Sequence, residues 1–479
     1  MTSKRMIYAG IVLIALIAVT GGIYAFQVSQ MGDDLPKTFV VGYTNDIRHL
    51  DPHLRQNVWS ILVINQMYEP LFKYKYEPVS DEPWANFSVL GEYEGVLATS
   101  WENPNDTTYI FHLREGVKFH DGSPLDANAV KLSLDRMREL SPKEVTATSI
   151  ASVDVIDSHT VQIKLAKPFA PWFSMMAANY FGYIVSPKAI QENGDEYMKE
   201  HAVGTGPFKF VERTPGTEIM LERNEDYWGD APKIDNIRYK IVPDVDTMRL
   251  EIEKGTIHYT MYFLPNDWLG DFKSNPNINT MQYSPSDIYR AIHFMHSVPP
   301  FDDVNVRKAI AYSLDYDSML QALGPVYRVW TPLTEFYGDF VNKDVTRYER
   351  DLDKARELLV KSGYEDGLKI TLHYSPFQPE IKTTAEIAQQ NLKDVGIELE
   401  LKSYEWATMR SMVMDKSAGM FIWGGGGGYP DPDNPMFANF HSSQIPARNR
   451  SDYVNPEVDS LLERARSSTD KAERIRLYY

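Results

Sequence analysis

Two histidines, His293 and His296, and two carboxylates, Asp431 and Asp433, have the residue types and close spacing that could support chemistry. A metal would need both imidazoles on one face. The stretch Ile288 to His296 reads as a strand, where residues i and i+3 point to opposite faces, so both histidines read as structural. Paired carboxylates about 5–10 Å apart can hydrolyse a glycosidic bond. Among 66 acidic residues that criterion selects nothing, and Asp-Pro-Asp-Asn-Pro is a good turn in its own right. More specific is the stretch around them, WGGGGGYPDPDNP, from Trp423 to Pro435. Five consecutive glycines stand between an apolar run and a proline-punctuated acidic turn, which implies a neighbour that comes very close to the backbone. The run lacks the Gly-Lys-Ser/Thr ending of a phosphate-binding loop, and there is no H-E-x-x-H, G-x-S-x-G or EF-hand pattern. These observations indicate no catalytic residue, no metal and no cofactor.

The elements that must carry such a loop belong to a long chain. At 479 residues, with about 150 residues per domain as a guide, two or three domains are expected. The balance of 49 basic against 66 acidic residues gives a net charge of −17. A field of that sign repels nucleic acid and anionic headgroups, and leans toward a cationic solute. There is no cysteine, which excludes disulfides, thiolate metal sites, thiol nucleophiles and a lipid-modified N-terminal cysteine. Lys4 and Arg5 precede an uncharged apolar run, Ile7 to Phe26. As a helix this run would cover roughly 30 Å, the hydrocarbon thickness of a bilayer. A secretory core is usually only about 7–15 residues, and no clear A-x-A site follows, so an uncleaved anchor is the reading over a cleaved signal peptide. The flanking charges place the bulk of the chain outside. Sequons at Asn86, Asn105 and Asn449 are compatible with export.

Beyond a short linker, strand and helix patterns alternate. Phe39 to Tyr43 reads as a buried strand and Trp59 to Met67 as a helix. Tyr109, Phe111 and Leu113 alternate with Ile110, His112 and Arg114; Val161, Ile163 and Leu165 alternate again, and later Ile237, Tyr239 and Ile241 alternate with Arg238 and Lys240. Asp126 caps a helix with Val130, Leu134 and Met137 on one face. Asp351 opens another that Gly363 closes. Leu368, Ile370, Leu372 and Tyr374 face one side of a strand, opposite Lys369, Thr371 and His373. A capping box of Thr383 and Glu386 then starts a helix ending at Gly396. Ile397, Leu399 and Leu401 follow as a strand. Strand, helix and strand in so short a span require a parallel pair and an α/β layer.

Several longer stretches carry a family resemblance: LATSWENPNDTTYIFHLREGVKFHDGSPLDANAVKLSLDRM (Leu97 to Met137), VGTGPFKF (Val203 to Phe210), LERNEDYWGDAPKID (Leu221 to Asp235), VRKAIAYSLD, KARELLVKSGY and YVNPEVDSLLERA. From about Phe39 to Tyr479 the chain resembles the extracellular solute-binding proteins of ABC importers, family 5, which include oligopeptide-, dipeptide- and nickel-binding proteins. Physically these stretches are scaffold: core alternation, a tight turn at Gly204 and Gly206, and apolar area buried by Tyr227 and Trp228. The resemblance implies an α/β periplasmic-binding-protein-like fold of type II, two lobes on a hinge with an extra inserted α+β domain, here preceded by the membrane-spanning helix. On that analogy residues 1–37 are anchor and linker, 38–76 and 201–283 form lobe I, 77–200 the inserted domain, and 284–479 lobe II. In the family several tens of residues follow the position of Tyr479 and complete lobe I. The chain stops inside an evident helix, Lys471 to Tyr479, and is expected to lack that completion.

The same resemblance places Trp423 to Asp433 on a cleft wall of lobe II, where peptide-binding members pair ligand main chain with their own. The ligand-binding residues it implies are Thr44, Asn45, Asp46, Tyr259 and Tyr262 from lobe I, and Trp406, Trp423, Gly424, Gly425, Gly426, Tyr429 and Asp431 from lobe II. Leucine at Gly426 is therefore expected to abolish ligand binding and leave the free fold untouched. Peptide binders carry an aspartate three residues after the tryptophan. Here Gly426 stands there, and a charge-assisted hydrogen bond often worth about 1.5–3 kcal/mol is absent. Asp431 is the residue that could substitute. The implied ligand is an oligopeptide, an oligosaccharide or another polar organic solute, delivered by hinge closure to a permease with its ATPases. The localisation is the cell surface, anchored through the N-terminal helix with the bulk extracellular or periplasmic. Readings of another class are a secreted glycosidase-like hydrolase using carboxylates, and a surface chemosensory receptor without transport.

Overall fold

In the strand Thr38–Tyr43 the side chains of Phe39, Val41 and Tyr43 all turn inward, as their alternation requires. The computed structural model describes residues 37–78, 86–178, 180–260, 266–280, 287–324, 326–376, 379–426 and 428–479. The apolar run Ile7 to Phe26 lies outside them, and among the described residues no helix is long and apolar enough to cross a membrane. The chain divides into two compact units, Met1–Met281 with Gly428–Pro430, and Gln282–Gly427 with Asp431–Tyr479.

In the first unit, Thr38–Tyr43 lies within a five-stranded sheet, parallel to Tyr259–Thr260 on one side and to Asn236–Ile241 on the other. Glu218–Arg223 and Phe208–Thr214 continue the sheet as antiparallel strands. Phe39, Tyr43, Ile237 and Tyr239 close a core with the buried face of the helix Val58–Ile64, whose first turn is capped by the Asn57 side chain. A second core gathers around an antiparallel sheet ordered Ala98–Asn105, Thr108–Leu113, Thr160–Leu165, Ile150–Asp157. Tyr109, Phe111 and Leu113 are buried there, as expected. The helix Ala127–Leu140 covers this sheet with Val130, Leu134 and Met137, and the Asp126 carboxylate accepts the Ala129 N–H at 2.8 Å.

Two polar clusters fasten these cores together. Arg136 donates to both carboxylate oxygens of Asp51, to Asp195 at 2.8 Å and to His53 Nδ1 at 2.9 Å. The other imidazole nitrogen of His53 meets the Tyr183 carbonyl at 2.9 Å. Burial drives the His53 pKa down to about 4, so the ring stays neutral and accepts from the guanidinium. The fully buried Glu69 carboxylate accepts from Thr205 Oγ1 at 2.8 Å, Tyr227 Oη at 2.7 Å and Trp228 Nε1 at 2.8 Å. Burial raises its pKa against these three donors. Tyr227 and Trp228 thus do more than cover apolar area, for both remain half-exposed and serve as donors to one acid. Gly204 has no side chain because a Cβ would strike the Met67 carbonyl.

The second unit is built on the sheet Tyr289–Phe294, Met420–Gly425, Leu368–Tyr374, Ile397–Ser403. The last two pair in parallel, Leu368 opposite Ile397, as the strand-helix-strand reading requires. Gly396 makes the turn into Ile397 after the helix Pro379–Lys393. That helix begins earlier than the expected capping box. Thr383 and Glu386 lie inside it, and Glu386 pairs with Lys382 one turn back at 3.6 Å. A proline suits a first helical turn, where its missing N–H costs nothing, and it overrode the Ser/Thr-x-x-Glu signal. His373, on the other face of its strand, is buried and stacks on Tyr404 at 5.8 Å. The helix Leu352–Lys361 starts at Asp351 as read.

Replacing Glu69 with leucine leaves three donors, one of them fully buried, without their acceptor and is expected to lower stability by about 3 kcal/mol or more. Glu69→Gln should cost less, because an amide oxygen still accepts Thr205 and Trp228. Denaturant midpoints of the two variants check this, and equal losses would show that the three bonds carry little.

Candidate functional site

Parallel strands of an open α/β sheet deliver their ligand-binding loops at their carboxyl ends. In the second unit Leu368–Tyr374, Ile397–Ser403 and Met420–Gly425 all end on one edge. There Trp423 is 7% exposed, whereas Trp406, opening the helix Trp406–Met414, is 41% exposed. Their ring centroids are 4.4 Å apart with planes tilted by 34°. The guanidinium of Arg450 sits 4.6 Å from the Trp423 ring centre. The strand Met420–Gly425 is paired along its length with Tyr289–Phe294, but with Leu368–Tyr374 only at Met420 and Phe421. The strand Leu368–Tyr374 ends one residue beyond His373, the partner of Phe421, so the ladder on that side stops before Trp423.

The glycines meet the protein's own chain. A side chain at Gly425 would collide with the Tyr289 ring, and one at Gly426 with the carbonyl of Asp287. Gly426 also has φ of +99°, a conformation that costs an L-residue dearly. This overturns the expectation that leucine at 426 leaves the free fold untouched. The close neighbour is the segment Asp287–Tyr289, reason enough for glycine at both positions with no ligand present. Gly424 is less confined, with the Tyr289 carbonyl 3.3 Å from where its Cβ would stand.

The acidic turn is occupied. Both Asp431 oxygens accept from Arg474, at 2.5 and 3.0 Å, and Oδ1 also takes the Asp433 N–H at 2.9 Å. Asp433 receives Arg466 through two bonds of 2.9 Å. Both carboxylates are buried, at 5% and 1% exposure. Asp431 therefore does not stand in for the missing ammonium partner. The two acids pin the helices Pro456–Ser467 and Lys471–Tyr478. Proline punctuation placed the turn correctly, but no local pattern pointed to the arginines 33 and 43 positions away. Tyr429 belongs with Gly428–Pro430 to the first unit, where it is half-buried against the core around Phe111 and Trp172.

In the first unit, Thr44, Asn45 and Asp46 follow the carboxyl end of Thr38–Tyr43, and Tyr259 lies on the adjacent parallel strand. Asn45 is exposed, with its amide 3.4 Å from Thr44 Oγ1. Asp46 is committed to tying its loop to the turn that follows Phe208–Thr214. It accepts the Ile47 N–H at 2.7 Å, Arg213 at 3.1 Å and the Gly216 N–H at 2.8 Å. Tyr259 packs against the sheet core. Tyr262 lies outside the described residues. The histidines considered for a metal pack apart: His293 stacks on Phe421 at 5.2 Å and His296 meets Tyr453 edge-on at 5.6 Å.

Gly426→Leu is expected to lower the melting temperature of the unliganded protein by several degrees, since both steric overlap and a positive φ oppose it. Gly424→Ala should change it by about a degree or less. Calorimetry of both variants tests the assignment, and an unchanged melt for Gly426→Leu would disprove the close crossing at Asp287.

Residues 92–447 match the bacterial extracellular solute-binding proteins, family 5, middle region. The probable D,D-dipeptide-binding periplasmic protein DdpA of Escherichia coli (strain K12) is 30% identical, covering 99% of this chain and 90% of its own. Heme-binding protein A of Haemophilus influenzae is 29% identical over 81% of this chain and 76% of its own. Among solved structures, the ABC transporter-associated periplasmic binding protein DppA from Helicobacter pylori, in complex with the peptide STSA, superposes with a TM-score of 0.74 at 26% identity, covering 92% and 88% of the two chains. NikA from Brucella suis, in complex with Fe(III)-EDTA, gives 0.78 at 25% identity over 92% and 90%. The fold is that of the periplasmic binding proteins, and the chain belongs to the bacterial extracellular solute-binding proteins of family 5, the solute receptors of ABC importers.

Proposed function

We propose that this receptor captures a small peptide or a peptide-like polar solute in extended form and releases it unchanged to its permease. The observation that carries this reading is the one-sided pairing of Met420–Gly425. From Ile422 onward one edge of the strand lies against Tyr289–Ile292, while the ladder on the other has ended. An extended ligand can add its main chain there, and stacked Trp406 and Trp423 offer an aromatic surface beside it. That relatives are described as dipeptide- and glutathione-binding proteins supports the class. Trp406, Trp423 and Gly424 are the proposed contacts in the second unit, Thr44, Asn45, Tyr259 and Tyr262 in the first.

Capture rests on closure of two lobes over the solute, with residues 77–200 as an inserted domain on the first lobe. The reading is non-enzymatic. Asp431 and Asp433, the carboxylates nearest the candidate wall in sequence, are each held by an arginine and cannot act as acid and base. We propose further that Ile7 to Phe26 tethers the receptor to the membrane with its bulk outside. The full-length chain should then sediment with membranes and a chain starting at residue 37 should not.

Mixed di- to tetrapeptides should raise the melting temperature of the soluble part in a saturable way. A ligand at 100 times its Kd stabilises by about 2.7 kcal/mol. Mass spectrometry of the same mixtures should recover every peptide intact. Turnover of any of them would end the receptor reading, and stabilisation by oligosaccharides alone would end the peptide one.

A further inference from the structure

Arg466 and Arg474 each grip an aspartate through two bonds. Arg450, in the same unit and half-buried, has no such partner: among the described residues no carboxylate lies within ion-pair distance of it. Among the described residues its side chain makes one hydrogen bond, to the Arg448 carbonyl at a long 3.4 Å. Of the charged groups that bear on it, Arg448 acts most strongly and Arg410 in the same sense, both of its own sign. Both are exposed, and neither forms an ion pair among the described residues. The phenol of Tyr289 acts in the opposite sense, but burial keeps it protonated and it already meets Asn439 Nδ2 at 3.0 Å. Burial and these like charges push the Arg450 pKa down to about 10, which still leaves it fully charged at neutral pH.

The backbone on either side of it is nonetheless held in place. On one flank the buried Asn449 donates to the Tyr453 carbonyl at 2.8 Å. On the other, His296 donates its N–H to Ser451 at 2.9 Å, and Asp452 binds Lys416 at 3.0 Å and Ser297 at 2.5 Å. The guanidinium lies on Trp423 at the carboxyl edge of the sheet. A partly desolvated cation is costly to leave unanswered, and a planar guanidinium backed by an aromatic ring suits a carboxylate received through two parallel bonds.

We infer that Arg450, supported on Trp423 and flanked by Arg410 and Arg448, is a receptor point for an anionic group of the solute, and that the transported class is carboxylate-bearing. The inference rests on the solute-receptor reading and is independent of the solute being a peptide. A free peptide, a sugar acid and an aliphatic dicarboxylate share the chemistry.

A panel of di- to tetrapeptides, sugar acids and dicarboxylates, each paired with its neutral amide or ester, distinguishes these sources by calorimetric titration. At least one acid should bind the wild-type receptor ten times or more tighter than its neutral partner. Arg450→Gln should erase that difference, and Arg450→Lys, which keeps the charge and loses the fork, should retain part of it. Melting of the unliganded variants controls for folding. If Arg450→Gln does not fold, the acid-to-neutral ratios of wild type and Arg450→Lys decide. Equal binding of acid and neutral partners, a preference that survives Arg450→Gln, or no binding by any acid overturns the inference. Binding by sugar acids and not by peptides would remove the peptide reading and leave this one standing.

Discussion

The carbonyl of Asp287 passes so close to Gly426 that the end of the strand Met420–Gly425 has one course open to it. With Tyr289 filling the space over Gly425, the crossing fixes where the strand leaves its sheet and where the acidic turn begins. Everything proposed about solute capture is referred to that point. Trp423 stands three residues before Gly426, Trp406 stacks on it, and Arg450 rests on its ring. A run of glycines is often taken as a floppy loop, but two of these serve tight contact. Rigidity here has a use, because a wall that must recognise a solute gains from being formed before the solute arrives.

The turn beyond the glycines is equally committed. Asp431 and Asp433 spend their charge on Arg474 and Arg466, tying two C-terminal helices to the strand end. The first unit repeats the principle twice, with Glu69 under Thr205, Tyr227 and Trp228, and Asp51 under Arg136. Such groups are costly to bury and still costlier to leave half-satisfied, so each cluster specifies one arrangement of the elements that meet there. The family stretches Val203 to Phe210 and Leu221 to Asp235 converge on Glu69, which explains in physical terms why they mark the fold and not the ligand.

How legible this was in the sequence depended on the range of the interaction. Alternation at Tyr109, Phe111 and Leu113, the cap at Asp126 and the strand-helix-strand run from Leu368 follow from neighbours a few residues apart, and they stand as read. Thr383 and Glu386 failed because another local signal, the proline at 379, outweighed them. The glycine run announced a close neighbour without naming it, since Asp287 lies well over a hundred residues away. Arg450 gave no signal at all. It sits in an irregular segment with no periodicity, and its significance comes from the carboxylate that is missing around it.

The overall charge would have pointed the other way. A net −17 favours a cationic solute at long range. Charges farther apart than about 8–10 Å are largely screened at physiological salt, however, so the sum over the surface says little about one edge of one sheet. At Trp423 the charge in contact is Arg450, with Arg448 and Arg410 acting on it in the same sense and the Tyr289 phenol neutral. An acidic exterior and a basic receptor point are compatible: the first keeps the receptor soluble, and the second acts only on a solute already within a few ångströms. The sign of the site is a property of side chains within contact distance, and folding brings Arg450 to Trp423 from 27 positions along the chain.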